Sequence, residues 1–333
     1  MLKRKAFLAL AASALALCLA PISSTSAEEV TLKAISFVPK QLNYAQSFAK
    51  WVDEFNKQAK GVLQINFIGG PEVTPSNQQG QALKNGLIDM IFCPPGLYLN
   101  LMPEGEAISG SNKTPLELRK DGAYDLLDKI MRKRLNATLI AHVAGGNKFY
   151  IWLKDEPKRL PDGSIDFSGI KLRTSPLWKE FFTAIGATTI IIPNTEVYTA
   201  LERGTVDGTG WPVIGLRDYK WDKFVRYRVE PGFMQPDILI SVNLPKFNSL
   251  SKQAQDMLTT AGVKYEAASY AEFQTIEKAD KEAMQKEGMK VVELTGAARD
   301  KYLQHAYAAP WARMKERNIP EYNELRAKFF DSK

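Results

Sequence analysis

The chain has 333 residues, of which 45% are hydrophobic and 24% charged, with 44 Lys and Arg against 37 Asp and Glu. That balance supplies a sizeable core and excludes disordered, collagen-like and coiled-coil classes. Basic and acidic residues are intermixed, and the densest basic run, Arg132, Lys133 and Arg134, reads as a solvated helix end, so no nucleic-acid partner is expected.

Lys3, Arg4 and Lys5 precede an apolar run over residues 6–20 and the small-residue stretch Ser23, Ser24, Thr25, Ser26, Ala27. This is the pattern of a secretory signal peptide, with residues 1–27 removed by cleavage near Ala27. Taking 27 residues from 333 leaves 306, and losing the three cations lowers the formal charge from +7 to +4. Cys18 follows Leu17 rather than a small residue, which argues against a lipid anchor. No later stretch approaches the roughly 18 apolar residues of a membrane span, so a periplasmic or extracellular protein is expected. Cys93 is the single cysteine of the mature chain, which excludes an internal disulfide and a multi-cysteine metal site.

Residues 31–37 alternate as a strand, and Tyr44, Phe48, Trp51, Val52 and Phe55 then fall on one face of a helix that Gly61 ends. A strand over residues 62–68, a Gly69-Gly70-Pro71 turn, a helix over about 76–85 and a strand over 88–92 follow. This alternation points to a mainly parallel sheet covered by helices, with ligands at the carboxyl ends of strands. Tyr124, Leu127, Ile130 and Met131 mark another helix, followed by strands over 137–143 and 149–153. After the polar loop 154–166 a second α/β series begins at Ile170: a helix over about 176–185, a strand over 189–192, a helix over 195–203 and a short strand at 206–207. A strand over 237–243 precedes a helical pattern from the expected N-cap Ser251 to about Lys286. One helix of about 35 residues would span roughly 50 Å and cross both domains; the alternative is two helices broken at Gly262.

Enzyme motifs are absent. The mature chain has only His142 and His305, with no His-Glu-x-x-His, nucleophile elbow, P-loop or dinucleotide fingerprint. His142 reads as a core residue in an apolar strand. Cys93, at a strand end near the expected ligand site, is a nucleophile candidate disfavoured by the lack of an indicated histidine partner.

Three segments carry the information: Gly169-Ile-Lys-Leu-Arg173-Thr-Ser-Pro176, Pro193-Asn194-Thr-Glu196-Val-Tyr198-Thr-Ala-Leu201, and Gly204-Thr-Val-Asp207-Gly208-Thr-Gly-Trp211-Pro212. An arginine at a strand end presents a fixed fork of donors that suits a carboxylate. By itself it pairs as readily with an acidic neighbour as with a ligand. The three segments together resemble the extracytoplasmic solute-binding proteins of tripartite ATP-independent periplasmic (TRAP) transporters. Upstream Gly86-Leu-Ile-Asp89-Met and downstream Glu287-Gly288 extend the resemblance over practically the whole mature chain.

The resemblance implies a two-domain periplasmic binding protein fold of type II-like α/β architecture, with crossing strands, a long bridging helix and closure around an organic acid. Domain I is expected over residues 28–150 plus 237–275, and domain II over 151–236 plus 276–333. Arg173 becomes the carboxylate clamp, with Asn194 beside it and Trp211 opposite. Phe37, Lys40, Tyr98, Asn147, Phe149 and Trp178 follow as wall residues from the strand ends. Glu196, Tyr198 and Asp207 read as fold-holding, and Glu72 as a carboxylate either at the site or in solvent. Gly210 stands where members that bind their acid through a cation often carry glutamate, so no metal and no cofactor are expected. The aromatic wall favours a monocarboxylate, and Lys40 keeps a second carboxylate open. The function implied is capture of a small organic acid and delivery to a membrane-embedded TRAP permease, by a monomer without chemistry of its own. A receptor for an ATP-driven importer and a secreted enzyme on the same scaffold are the competing readings.

Overall fold

A computed structural model describes residues 29–331, and the expected signal segment lies outside them. The strands are β1 (Val30–Ser36), β2 (Leu63–Gly69), β3 (Met90–Cys93), β4 (Ala137–Val143), β5 (Phe149–Leu153) and β6 (Lys171–Thr174). They continue with β7 (Thr188–Ile191), β8 (Gly208–Pro212), β9 (Tyr227–Phe233), β10 (Ile238–Asn243) and β11 (Lys290–Glu293). Two sheets result, of order β2-β1-β3-β10-β4 and β11-β9-β5-β8-β6-β7.

Each sheet has one strand against the grain. In the first, β10 runs antiparallel to both β3 and β4 while β1, β2 and β3 are mutually parallel. In the second, β5 opposes both β8 and β9, whereas β6 pairs parallel with β7 and β8. These two are the strands by which the chain crosses: β5 leaves the first sheet for the second and β10 returns. A strand that enters its sheet from the cleft runs away from it, whereas its parallel neighbours run towards it. The carboxyl ends of the parallel strands and the amino ends of β5 and β10 therefore meet at one place.

The helix Asn43–Gln58 buries Tyr44, Phe48, Trp51, Val52 and Phe55, the face that the spacing predicts. Lys252–Lys286 is one 35-residue helix, and the Ser251 side chain caps it at the Ala254 N–H. It is not broken at Gly262. There the helix lies so close to β4 that a Cβ would come 2.4 Å from Ile140 Cγ2, so glycine permits the crossing. The same helix reaches both sheets. Tyr265 meets Ser47 at 2.8 Å on the helix Asn43–Gln58 that covers the first, and Glu277 accepts from the Tyr150 hydroxyl at 2.9 Å on the second.

Other elements depart from expectation. The strand expected at 206–207 lies at β8, whose glycines serve close packing: a Cβ at Gly208 would come 2.3 Å from Trp152 O. β9 holds Pro231 and Gly232, and β11 is four residues long; neither is legible as a strand. Helix Gly296–Glu316 contains Pro310. It packs on both Glu106–Ser109 and Lys179–Ala184, whereas Tyr322–Phe329, assigned by expectation to the second domain, packs on Glu106–Ser109 and Ala123–Leu135 beside the first sheet. No helix among the described residues is long and apolar enough to cross a membrane.

Candidate ligand-binding site

The converging strand ends enclose a cavity of about 650 Å³. From the first sheet come Phe37 after β1, Glu72 after β2, Gly96 after β3, and Pro236 and Asp237 before β10. From the second come Arg173 at the end of β6, Leu177 and Trp178 beyond it, Asn194 after β7, Trp211 in β8 and Phe149 at the start of β5.

Arg173 dominates the electrostatics. It is 3% exposed, and its Nε donates to Ile192 O at 2.8 Å while Nη1 reaches Gly210 O at 3.4 Å. Its guanidinium carbon lies 5.6 Å from the ring centroid of Trp211, 5.7 Å from Trp178 and 5.9 Å from Trp221. Indole faces attract a cation, by about 2 kcal/mol when desolvated. Burial pushes the guanidinium down to about 10, so it remains charged at neutral pH. Among the described residues no carboxylate is paired with it. A buried cation without a counter-ion is costly, and the donors left over suit an incoming carboxylate.

Asn194 donates through Nδ2 to the Tyr219 hydroxyl at 2.7 Å, and Tyr219 stacks on Trp221 at 4.8 Å and 14°. A chain of contacts thus ties Asn194 to the aromatic cage of Arg173. Trp211 is held by its backbone carbonyl, which accepts from Trp152 Nε1 at 2.8 Å, and its own indole N–H has no partner among the described residues. At Gly210 a Cβ would come 2.7 Å from Phe182 Cζ and 2.9 Å from Trp178 Cε3, so no glutamate fits there without displacing an aromatic ring.

Of the residues expected at the wall, Arg173, Trp211, Asn194, Phe37, Trp178 and Phe149 line the cavity, although Trp211 stands beside Arg173 on the neighbouring strand of the same sheet rather than opposite it. Three do not line it. Lys40 turns outward, donating to Phe67 O at 2.6 Å with its ammonium over the Phe67 ring. Tyr98 is wholly buried against Gly80, because the turn Pro95–Leu97 brings Gly96 and Leu97 to the cavity in its place. Asn147 is buried with Oδ1 accepting from Gln274 Nε2 at 2.6 Å.

Asp207 is fold-holding as expected, its carboxylate accepting the Lys171 N–H at 2.8 Å. Glu196 instead lies at the exposed rim of the cavity. His142 is buried and held neutral by desolvation; Nε2 donates to Pro236 O at 2.8 Å and Nδ1 accepts from the Tyr124 hydroxyl at 2.7 Å. Cys93 is buried, and desolvation raises its thiol well above the ordinary range, so it is no thiolate nucleophile. Trp221, Tyr44 and Asp237 were not singled out from sequence. Tyr44 read as core, Trp221 lay in a segment without periodicity, and only a carboxylate heading an apolar strand hinted at Asp237.

A cavity between two α/β sheets, lined by aromatic rings around an unpaired cation, defines a two-lobed solute-binding protein. The chain belongs to the family described as bacterial extracellular solute-binding protein, family 7, whose model matches residues 36–318. It is 26% identical to a monocarboxylate 2-oxoacid-binding periplasmic protein of Nostoc sp., over 66% of this chain and 60% of that protein's length. It is also 26% identical to the 2,3-diketo-L-gulonate-binding periplasmic protein of Escherichia coli, over 73% of this chain and 75% of the other. In structure it is similar to a Bordetella pertussis extracytoplasmic solute receptor binding pyroglutamic acid, with TM-score 0.78 at 17% identity, covering 90% of this chain and 99% of that one. A TRAP solute-binding protein of Desulfovibrio salexigens with bound orotic acid has the same TM-score at 20% identity, covering 90% and 97%.

Proposed function

We propose that this protein is a periplasmic receptor that captures a small organic monocarboxylate and delivers it to a TRAP permease, binding its ligand without transforming it. The observation that carries this reading is Arg173: a buried, charged guanidinium facing a cavity with no carboxylate paired to it. Such a group raises the free energy of the empty protein, and a bound carboxylate relieves it. The cavity volume suits one small molecule. Arg173 is the one cation among the described lining residues, which favours a single carboxylate, and Phe37, Phe149, Trp178 and Trp211 favour an apolar or planar body.

The relatives support the class: their names and titles give a 2-oxoacid, a diketo sugar acid, pyroglutamate and orotate, all carboxylates. We assign one lobe to residues 28–150 with 237–275, and the other to residues from 151 to 236 and from 276 to about 321, with Tyr322–Phe329 rejoining the first. The ligand must favour the closed arrangement of the lobes over the open one.

Thermal unfolding of the mature protein against monocarboxylates, dicarboxylates, sugar acids, neutral sugars and amino acids tests the reading. An acid at about 100 times its dissociation constant adds about 2.7 kcal/mol of stability and raises the midpoint by several degrees. A shift from monocarboxylates supports the receptor. Shifts from neutral sugars alone, or product formed from a bound acid, would overturn it.

A further inference from the structure

The charge inventory of the cavity is lopsided. Against the single cation Arg173 stand three carboxylates, Glu72, Glu196 and Asp237. Glu72 and Glu196 are exposed, and Glu72 folds back to accept the Gly70 N–H at 2.7 Å. Asp237 is different. It is 2% exposed, and it stands at the amino end of β10, on the wall that faces the second sheet.

Its Oδ2 accepts the Gly96 N–H at 2.7 Å, and its own backbone N–H faces the carboxyl. Among the described residues no side chain donates to it and no cation pairs with it. A carboxylate can accept at about four lone-pair positions, so acceptor capacity is left over. Its surroundings do not fill it: Pro94 and Pro236 have no N–H to offer, the Cys93 thiol is directed to the Ser76 and Pro94 carbonyls, and the buried Tyr98 hydroxyl makes no hydrogen bond among the described residues. A buried acceptor left in this state is expensive unless something else donates to it.

We propose that Asp237 reads a hydrogen-bond donor on the ligand, so that the acid taken up carries an N–H or hydroxyl for Asp237 as well as a carboxylate for Arg173. This rests on the receptor reading and narrows its ligand class. A dicarboxylate is disfavoured, since its second charge would meet carboxylates and no second cation; Lys40, the one candidate, is engaged outside the cavity. The charge state of Asp237 agrees with such a role. Burial pushes its carboxyl up to about 7, and the titratable groups that face it, Cys93, Tyr98 and Glu106, bring no positive charge. A ligand donor favours the ionised form, so affinity for a donor-bearing acid should rise from pH 6 to pH 8.

The test uses matched acids in calorimetric titration: pyroglutamate against N-methylpyroglutamate, and 4-hydroxybenzoate against 4-methoxybenzoate, with malonate as the dicarboxylate. The wild type should prefer the donor-bearing member of whichever pair binds by at least tenfold. Asp237→Asn keeps an acceptor for Gly96 but can turn an amide N–H towards the cavity, so the preference should fall below threefold or reverse. Equal binding within the pairs, tightest binding of malonate, or an unchanged preference in the variant would overturn the proposal and leave the receptor reading standing. If no acid of any kind binds, the receptor reading fails and this inference fails with it. Should the variant not fold, the wild type still decides: affinity for the donor-bearing acid that is flat or falling between pH 6 and pH 8 counts against Asp237.

Discussion

Two buried arginines sit on either side of the cavity wall, each donating to two backbone carbonyls, and they differ in whether a carboxylate neutralises them. Arg313, 7% exposed on the helix Gly296–Glu316, donates from Nε to Glu106 at 2.8 Å and from Nη2 to Leu177 O at 2.9 Å. Its Nη1 donates to Glu180 and to Pro176 O. It joins the helix that carries Glu106 to the segment 175–178 that walls the cavity. Arg173 is as deeply buried, yet holds two backbone carbonyls and three aromatic faces and no carboxylate. The same side chain is therefore used in opposite ways: Arg313 is neutralised within the fold, and Arg173 is left without a counter-charge, as the proposed carboxylate site requires.

The comparison predicts opposite phenotypes. Arg313→Met leaves Glu106 buried without its main counter-charge, and breaking such a pair costs about 3–5 kcal/mol. Its melting midpoint should drop by more than about 6 °C, with the affinity of the folded protein for its acid changed by less than about tenfold. A variant that melts like the wild type would erase the distinction.

Asp237 extends the comparison to an acid, and its effect follows pH. Its folded-state carboxyl titrates near 7 because of burial, above an ordinary aspartate at 3.8. The native state therefore holds the proton more tightly. The stability contributed is complete below about pH 4 and is lost as pH rises to about 7, by at most roughly 4 kcal/mol. In the ligand-free wild type, melting measured from pH 4 to pH 8 should fall relative to Asp237→Asn. Parallel curves would show that Asp237 is ionised throughout.

Much of this was legible in the sequence where local chemistry and tertiary need agree. The apolar stripe from Tyr44 to Phe55, the Ser251 cap and the alternation of the early strands each follow from spacing. The cage was legible in part: Arg173 at a strand end, with Asn194 and Trp211 at fixed distances after it. What stayed hidden breaks local rules for tertiary reasons. β8 is glycine-rich because Trp152, Trp178 and Phe182 crowd it, and helix Gly296–Glu316 includes a proline and buries an arginine. Lys40, Tyr98 and Asn147 were placed at the wall by proximity to strand ends, but the direction of a side chain after a strand depends on a turn that spacing does not specify. Asp237 is hidden for a related reason: only its folded surroundings reveal that the Gly96 N–H donates to its carboxyl and that no side chain does.

The central claim, that Arg173 is present for a ligand carboxylate rather than for the fold, is tested most directly by calorimetric titration of the wild type and Arg173→Met with the acid that gives the largest melting shift. Methionine keeps much of the length and removes an unpaired buried charge, so the ligand-free stability should stay within about 1 kcal/mol of wild type. Affinity should fall by about a hundredfold or more, close to 2.7 kcal/mol. Unchanged affinity in a folded variant would contradict the account, because the carboxylate would then be bound by something other than Arg173.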